Sequence, residues 1–174
     1  MSFNLMITHE PGLDNYRFII GSIRSRIQDY IVVDKGPCVI LLRVPNPYES
    51  IEKLRDLPNE APMVYRVIPI DVIVDPYVED VAEKAGSLAM ERIPPDKTYR
   101  VTLHGRLYWR ETRMPAHSMD AVKIIAEKID RPVSLSSPDY VVYIRSVKLY
   151  HRRRYAAVTV APPEKIIVSK SDKP

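Results

Sequence analysis

The sequence predicts an α+β fold in two successive groups of elements, and three observations support this prediction. Apolar residues make up 45% of the 174 residues and charged residues 28%, which provides for a core and argues against disorder of the whole chain. The first group of patterns runs strand-helix-strand-strand-helix-strand, which is the ferredoxin-like order. The second group again mixes helices with a hairpin. We therefore predict a ferredoxin-like domain over residues 1–75, a second domain over 76–163 and a tail over 164–174.

The first half of the ferredoxin-like domain has clear local signals. Residues 3–9 form an apolar strand pattern, and apolar residues from Leu13 onward recur at helical spacing for about 16 residues. Two further strand patterns, 30–33 and 38–44, are separated by turn residues and predict a hairpin. Cys38 begins the second of them and is expected to be a small buried apolar residue.

The second half of this domain begins at a helix start. Asn46 can cap a helix and Pro47 suits its first position, while Pro58 is expected to end it. Residues 64–74 then predict one strand. Because Pro69 interrupts that pattern and cannot donate a backbone hydrogen bond, we expect an edge strand.

The second domain follows a boundary at Asp75-Pro76. Its first predicted elements are a helix over 78–89, a strand over 97–109 and a charged loop over 111–117. A helix capped by Ser118 follows, with Met119 facing inward. A connection over 130–139 then leads to a hairpin of strands 140–149 and 155–160. The tail after Pro162-Pro163 is expected to fray.

Several chemistries have no sequence support. The five glycines are not spaced as a phosphate-binding or dinucleotide-binding loop, and the four histidines and single cysteine show no metal-ligand spacing. The His117-Ser118 pair is better explained by a helix cap than by catalysis. We therefore predict no catalytic residues, cofactor or metal. No apolar run has membrane-spanning length and no secretory signal is visible, so we expect a cytoplasmic protein.

Positive charge is concentrated in one third of the chain. Residues 97–154 hold 13 Lys/Arg and 5 Asp/Glu, a net charge of +8, whereas residues 1–96 hold 10 and 15, a net charge of −5. Arginine forks and a helix N-terminus are suited to phosphate, and interleaved tyrosines are suited to unpaired bases. The predicted RNA-binding residues are Arg100, His104, Arg106, Arg110, Arg113, His117, Ser118, Lys123, Arg145, Lys148, Arg152, Arg153 and Arg154.

Some of these residues also have structural explanations that do not involve RNA. Residues 152–154 can be a solvated turn, and Arg145 can pair with a carboxylate such as Asp139. Tyr99 and Tyr155 favour core positions over stacking platforms. The whole chain can also be a structural or regulatory subunit that binds a protein and makes no direct RNA contact.

A family resemblance rests on three segments in order: Lys97-Thr98-Tyr99-Arg100-Val101, His117-Ser118 before an apolar helix, and the stretch from Pro132 to Val142 that contains Ser137-Pro138-Asp139. Together they resemble the THUMP domain. Tyr99 stands where that pattern usually has Phe, and Ser134 where it usually has Asp. The resemblance implies that the second domain, 76–163, is a THUMP RNA-binding domain that recognises tRNA, especially its acceptor end.

The resemblance extends toward the N-terminus and covers about residues 3–162. Phe3-Asn4-Leu5, the Asn46-Pro47 helix start and Arg66-Val67-Ile68-Pro69 look like the N-terminal domain of archaeal THUMP proteins related to the adaptor of the tRNA cytidine acetyltransferase. That branch implies a non-catalytic tRNA-binding adaptor with a separate acetyltransferase as its partner. Sixteen prolines against five glycines further suggest heat adaptation.

Overall fold

In a computed structural model, which describes residues 2–151 and 153–169, the chain forms two compact α+β units. The first unit holds residues 2–70, 149–151 and 164–169, and the second holds 71–148 and 153–163. In chain order the elements are β1 (Leu5–His9), α1 (Leu13–Arg24), β2 (Ile31–Gly36), β3 (Val39–Arg43), α2 (Pro47–Lys53), α3 (Leu57–Glu60), β4 (Val64–Pro69), β5 (Val72–Val74), α4 (Val78–Arg92), β6 (Tyr99–His104), α5 (Ser118–Glu127), β7 (Tyr140–Lys148), β8 (Arg154–Ala161) and β9 (Ile167–Val168). No helix within this described part is long and apolar enough to cross a membrane.

The first unit has the predicted ferredoxin-like arrangement. Its sheet has the order β2-β3-β1-β4-β9, and every neighbouring pair is antiparallel. Leu5 and Ile7 of β1 pack in one core with Ile19 and Ile23 of α1, all fully buried. The alternation of strand side chains and the helical spacing in α1 therefore meet in one apolar layer.

The predicted long strand over 64–74 is wrong, because the chain divides there between two sheets. Pro69 is the last residue of β4, and β5 belongs to the sheet of the second unit. β4 is also not an edge strand, since the tail strand β9 pairs with it through Val67 and Ile167. The expected fraying is accordingly wrong for the tail through residue 169, while residues 170–174 lie outside the described part.

Local predictions in the first unit had mixed outcomes. The Asn46 cap is confirmed, since its side-chain oxygen accepts the N–H groups of Tyr48 and Glu49. Pro58 does not end the helix; it lies inside the short helix α3. Cys38 is exposed in the turn between β2 and β3, because the hairpin turn comes later than its Gly-Pro sequence suggested.

The second unit packs α4 and α5 on one face of a sheet with the order β5-β8-β7-β6. β6 is parallel to β7, whereas β8 is antiparallel to both β7 and β5. It follows that β5, β6 and β7 all point the same way. Since α4 follows β5 and α5 follows β6, both helices begin at the end of the sheet where these three strands finish. We call this end the helix-start end.

Candidate nucleic-acid interface

The loop from residue 105 to 117 lies at the helix-start end and is held by backbone hydrogen bonds. The N–H of Val78, the first residue of α4, donates to the Tyr108 carbonyl at 2.9 Å, and the Tyr108 N–H donates to the Pro76 carbonyl at 2.9 Å. The loop also closes on itself, because the Ala116 N–H donates to the Leu107 carbonyl at 2.9 Å. These bonds hold in place a loop that carries Arg106, Arg110 and Arg113.

Two of the loop arginines gather around one tyrosine. The guanidinium of Arg113 lies 4.8 Å from the centre of the Tyr77 ring and donates to the Tyr77 hydroxyl. The guanidinium of Arg110 lies 5.6 Å from the same ring and forms an ion pair with Asp80 in the first turn of α4. Arg113 thus has a neutral neighbour, whereas the charge of Arg110 is partly balanced by a carboxylate.

The hairpin of β7 and β8 brings further cations to the same end. Lys148 and Arg154 are paired across the two strands, and the Arg154 guanidinium lies 5.6 Å from the centre of the Tyr108 ring. The Arg153 guanidinium lies 5.3 Å from the centre of the Tyr155 ring. Arg152 lies outside the described residues.

The start of α5 differs from its prediction by one residue. His117 is the N-cap, since its Nδ1 accepts the Met119 N–H at 3.3 Å, and Ser118 is the first helical residue. An extended backbone at His117 places its ring nitrogen where the Ser118 oxygen was expected. Met119 is 69% exposed rather than inward, because this shift leaves it in the first turn at the rim of the helix. His117 and Ser118 are both exposed at the helix-start end.

Other predicted site residues lie elsewhere in the second unit. Arg100 is near the opposite end of β6, where it donates to the Leu135 carbonyl at 3.0 Å. It is four positions before His104, which corresponds to about 13 Å along a strand. Lys123 is exposed in the middle of α5. These two residues are therefore not grouped with the loop arginines.

His104 and Arg145 lie on the sheet face that points away from α4 and α5. They are register partners on β6 and β7, and alternation along the strands places the core residues Leu103 and Ile144 on the helix side. The His104 ring is 5.4 Å from the Tyr143 ring, and Arg145 donates to the Tyr143 hydroxyl at 3.0 Å. They form a second polar group on the other face.

The alternative pairing of Arg145 with Asp139 is wrong, because Asp139 has other partners. Its carboxylate accepts the Thr98 N–H at 2.9 Å and the Thr98 hydroxyl at 3.1 Å. The Thr98 backbone N–H is the main reason that the pKa of Asp139 is lowered. Asp139 therefore ties the start of β7 to the start of β6, where the two strands are parallel neighbours.

Replacing Asp139 with asparagine should weaken the pH dependence of the free energy of unfolding in the acid range, which is the slope of that free energy against pH. The pKa of Asp139 is lower in the folded state than in the unfolded state, where it is about 3.9. The ionised carboxylate therefore stabilises the folded protein above that unfolded-state pKa, and this stabilisation is lost as pH falls through the folded-state pKa. Urea unfolding at several pH values between about 2 and 6 measures this slope. Equal slopes for the two proteins would contradict the assignment.

Sequence patterns missed two residues at the helix-start end, Tyr77 and Met114, and placed Tyr99 correctly in the core. Tyr77 was not predicted, although two arginines stack on it, and Met114 is 62% exposed beside Arg113. A tyrosine directly before an acidic helix start gave no signal, because its partners Arg110 and Arg113 are more than 30 residues later in the chain. The core position of Tyr99 is confirmed, and burial raises the pKa of its hydroxyl.

Comparison with known proteins identifies the fold. No family model matches the sequence, and no curated protein matches it. Solved structures do match, and the three described below align over 92% of this chain. PH1313 from Pyrococcus horikoshii aligns with a TM-score of 0.61 and 14% identity, and a 4-thiouridine synthetase in an RNA complex with bound ATP aligns with 0.57 and 11%. The chain has a THUMP-like fold.

These similarities extend over only part of the other proteins. The chain spans 55% of PH1313, 42% of the thiouridine synthetase and 47% of TrmN from Thermus thermophilus, to which it is 17% identical with a TM-score of 0.54. At such identities the shared feature is the α+β architecture of a ferredoxin-like unit followed by a THUMP-like unit.

Proposed function

We propose that this protein is a non-catalytic tRNA-binding adaptor that supports tRNA modification, in particular cytidine acetylation by a separate acetyltransferase. The helix-start end of the second unit binds the RNA backbone, with the acceptor end of tRNA as the ligand. The adaptor role and the acetyltransferase partner rest on the family resemblance of the sequence. RNA binding rests on the geometry as well.

The RNA proposal rests on one observation. Cations from the 105–117 loop and from the β7–β8 hairpin lie at the end of the sheet where α4 and α5 begin. Six described cations lie on these segments, namely Arg106, Arg110, Arg113, Lys148, Arg153 and Arg154. The N-termini of α4 and α5 add the positive ends of their helix dipoles at the same end. Phosphate oxygens accept hydrogen bonds from arginine forks and helix N–H groups, so a polyphosphate chain is the ligand class that this end suits.

Two further features support the proposal. The solved structure of the 4-thiouridine synthetase has the same fold over 92% of this chain and contains RNA. The His117-Ser118 pair has a structural role, because His117 Nδ1 accepts the helix N–H of Met119 instead of a serine hydroxyl. This favours an adaptor over a hydrolase that would use the pair as nucleophile and base.

The test is the salt dependence of tRNA binding by the whole protein. If about six cations neutralise phosphates, a plot of log affinity against log salt should have a slope of roughly −4 to −5. Filter binding of total tRNA between low and moderate salt measures it. A slope near zero, or binding of an acidic protein without tRNA, would support a protein-binding subunit instead.

Replacing Asp80 with asparagine should strengthen tRNA binding. Asp80 forms an ion pair with Arg110 and places a negative charge beside the proposed phosphate path. Because partly exposed ion pairs contribute little, the expected gain is about two- to fivefold. The matched control is Glu83→Gln, an exposed carboxylate further along α4, which should have a smaller effect. Weaker binding by Asp80→Asn would show that its pairing positions Arg110 for RNA.

A further inference from the structure

The tip of the loop at the helix-start end is a tight turn over residues 109–114. The Trp109 N–H donates to the Met114 carbonyl at 2.9 Å, and the Arg113 N–H donates to the Trp109 carbonyl at 2.8 Å. These two backbone hydrogen bonds close the turn on itself. They also fix the backbone of Arg113, which is the last residue before the chain leaves the turn at Met114.

Arg113 has a backbone conformation that is rare for arginine. Its φ is 61°, and no other residue of the described chain apart from glycine has a positive φ. A side chain in this left-handed region is strained, because its Cβ lies too close to the following carbonyl oxygen, whereas glycine adopts it readily. Such strain persists only where the surrounding structure enforces it, and it is concentrated at functional sites. The turn therefore carries a cation at a position where glycine would be less strained.

Tyr77 holds this cation from the residue before α4. Its hydroxyl accepts a hydrogen bond from the Arg113 guanidinium, which lies 4.8 Å from the centre of the Tyr77 ring. The Arg110 guanidinium lies 5.6 Å from the same ring. The Tyr77 ring is itself well placed, since it is half-buried and its backbone forms a parallel bridge with Tyr108, just before the turn. One neutral side chain thus contacts two of the loop cations.

We propose that Tyr77 is a positioning residue for RNA binding at the helix-start end. The strained turn and the Tyr77 side chain together hold the Arg113 guanidinium in place before RNA arrives, and Tyr77 helps Asp80 to hold that of Arg110. An arginine that is already ordered loses less conformational entropy on binding phosphate, so affinity rises without any added charge. This inference rests on the proposed function and adds to it the neutral residue through which two of its cations act.

The experiment is a double-mutant cycle of total tRNA binding by the whole protein. Tyr77→Leu removes the ring and the hydroxyl but no charge, and it should weaken binding about fivefold, because the arginine side chains must then be ordered on binding. In a protein that already carries Arg110→Gln and Arg113→Gln, Tyr77→Leu should leave affinity unchanged, since a positioning residue acts only through those arginines. The matched control is Tyr16→Leu in the first unit, where a half-buried tyrosine lies under Lys35. It should leave tRNA affinity unchanged.

Further variants keep the proposal testable if Tyr77→Leu fails to fold. Tyr77→Phe keeps the ring and should weaken binding about twofold, and this loss should vanish when Arg113 is already glutamine. Nitrogen-15 NMR of the Arg113 Nε–H group should show an ordered side chain in the unchanged protein and a mobile one in Tyr77→Leu. Arg113→Gly should unfold at a higher urea concentration than Arg113→Ala, because both lack the guanidinium and only alanine keeps the left-handed strain.

The possible outcomes separate this inference from the proposed function. If the unchanged protein binds tRNA but Tyr77→Leu binds it equally well, or loses as much affinity without the two arginines as with them, the positioning role is overturned and the proposed function stands. A mobile Arg113 side chain in the unchanged protein would also overturn it. Absence of tRNA binding by the unchanged protein would overturn the proposed function and the inference together.

Discussion

Replacing Arg113 and Arg154 together with glutamine should weaken tRNA binding about 100-fold. Each guanidinium lies over a tyrosine ring, Tyr77 for Arg113 and Tyr108 for Arg154, so each is held in place by a neutral aromatic side chain. A hydrogen bond to a charged group contributes about 1.5 kcal/mol or more, so losing two costs about 3 kcal/mol. Filter binding of tRNA at fixed salt measures the loss.

The matched control changes the same number of charges elsewhere. Arg17 and Arg24 are exposed on α1 in the first unit, and replacing both with glutamine lowers the net charge equally. This control should change affinity far less, because it alters only the long-range field, which salt screens. The salt slope should also become less negative by about 1.5 for the Arg113/Arg154 variant. Equal losses in the two proteins would show that net charge, and not the helix-start end, accounts for binding.

Replacing Gly105 with alanine should destabilise the protein by about 2–3 kcal/mol, because left-handed backbone strain and a steric clash add. Gly105 has a φ of 85°, a conformation that side chains other than glycine rarely adopt. An added Cβ would also lie 2.8 Å from the Ser146 carbonyl oxygen on the neighbouring strand, which is backbone and cannot easily move. Urea unfolding measures the change.

The same residue links stability to function. Gly105 directly follows β6 and begins the loop that carries Arg106, Arg110 and Arg113. Gly105→Ala should therefore also weaken tRNA binding, by moving the loop from its hydrogen bonds with the start of α4. The matched control is Gly21→Ala, since Gly21 lies within α1 and its added Cβ would meet no atom within 4 Å. That variant should instead gain about 0.5–1 kcal/mol. Destabilisation by Gly21→Ala of similar size would contradict the strain assigned to Gly105.

Local patterns in the sequence determined most of the element order. The ferredoxin-like order, the Asn46 cap, the connection over 130–139 and the final hairpin were all visible, because each depends on residues a few positions apart. Some errors were local shifts of one or a few residues, at Cys38, Pro58 and the start of α5, but the error in strand order came where a distant segment intervenes. Pro69 suggested an edge strand, but β9, about 100 residues later, covers β4.

The cluster of cations likewise has one property that the sequence determines and another that depends on the tertiary structure. By itself the sequence determined that positive charge is concentrated in residues 97–154, and this excess does not depend on folding. Only the tertiary structure decided which cations are neighbours. Arg113 and Arg154 are brought to one end by strand pairing and tyrosine stacking, while Arg100 lies at the far end of β6. Charge is a sum over residues, whereas a binding surface depends on long-range strand direction, which local periodicity does not encode.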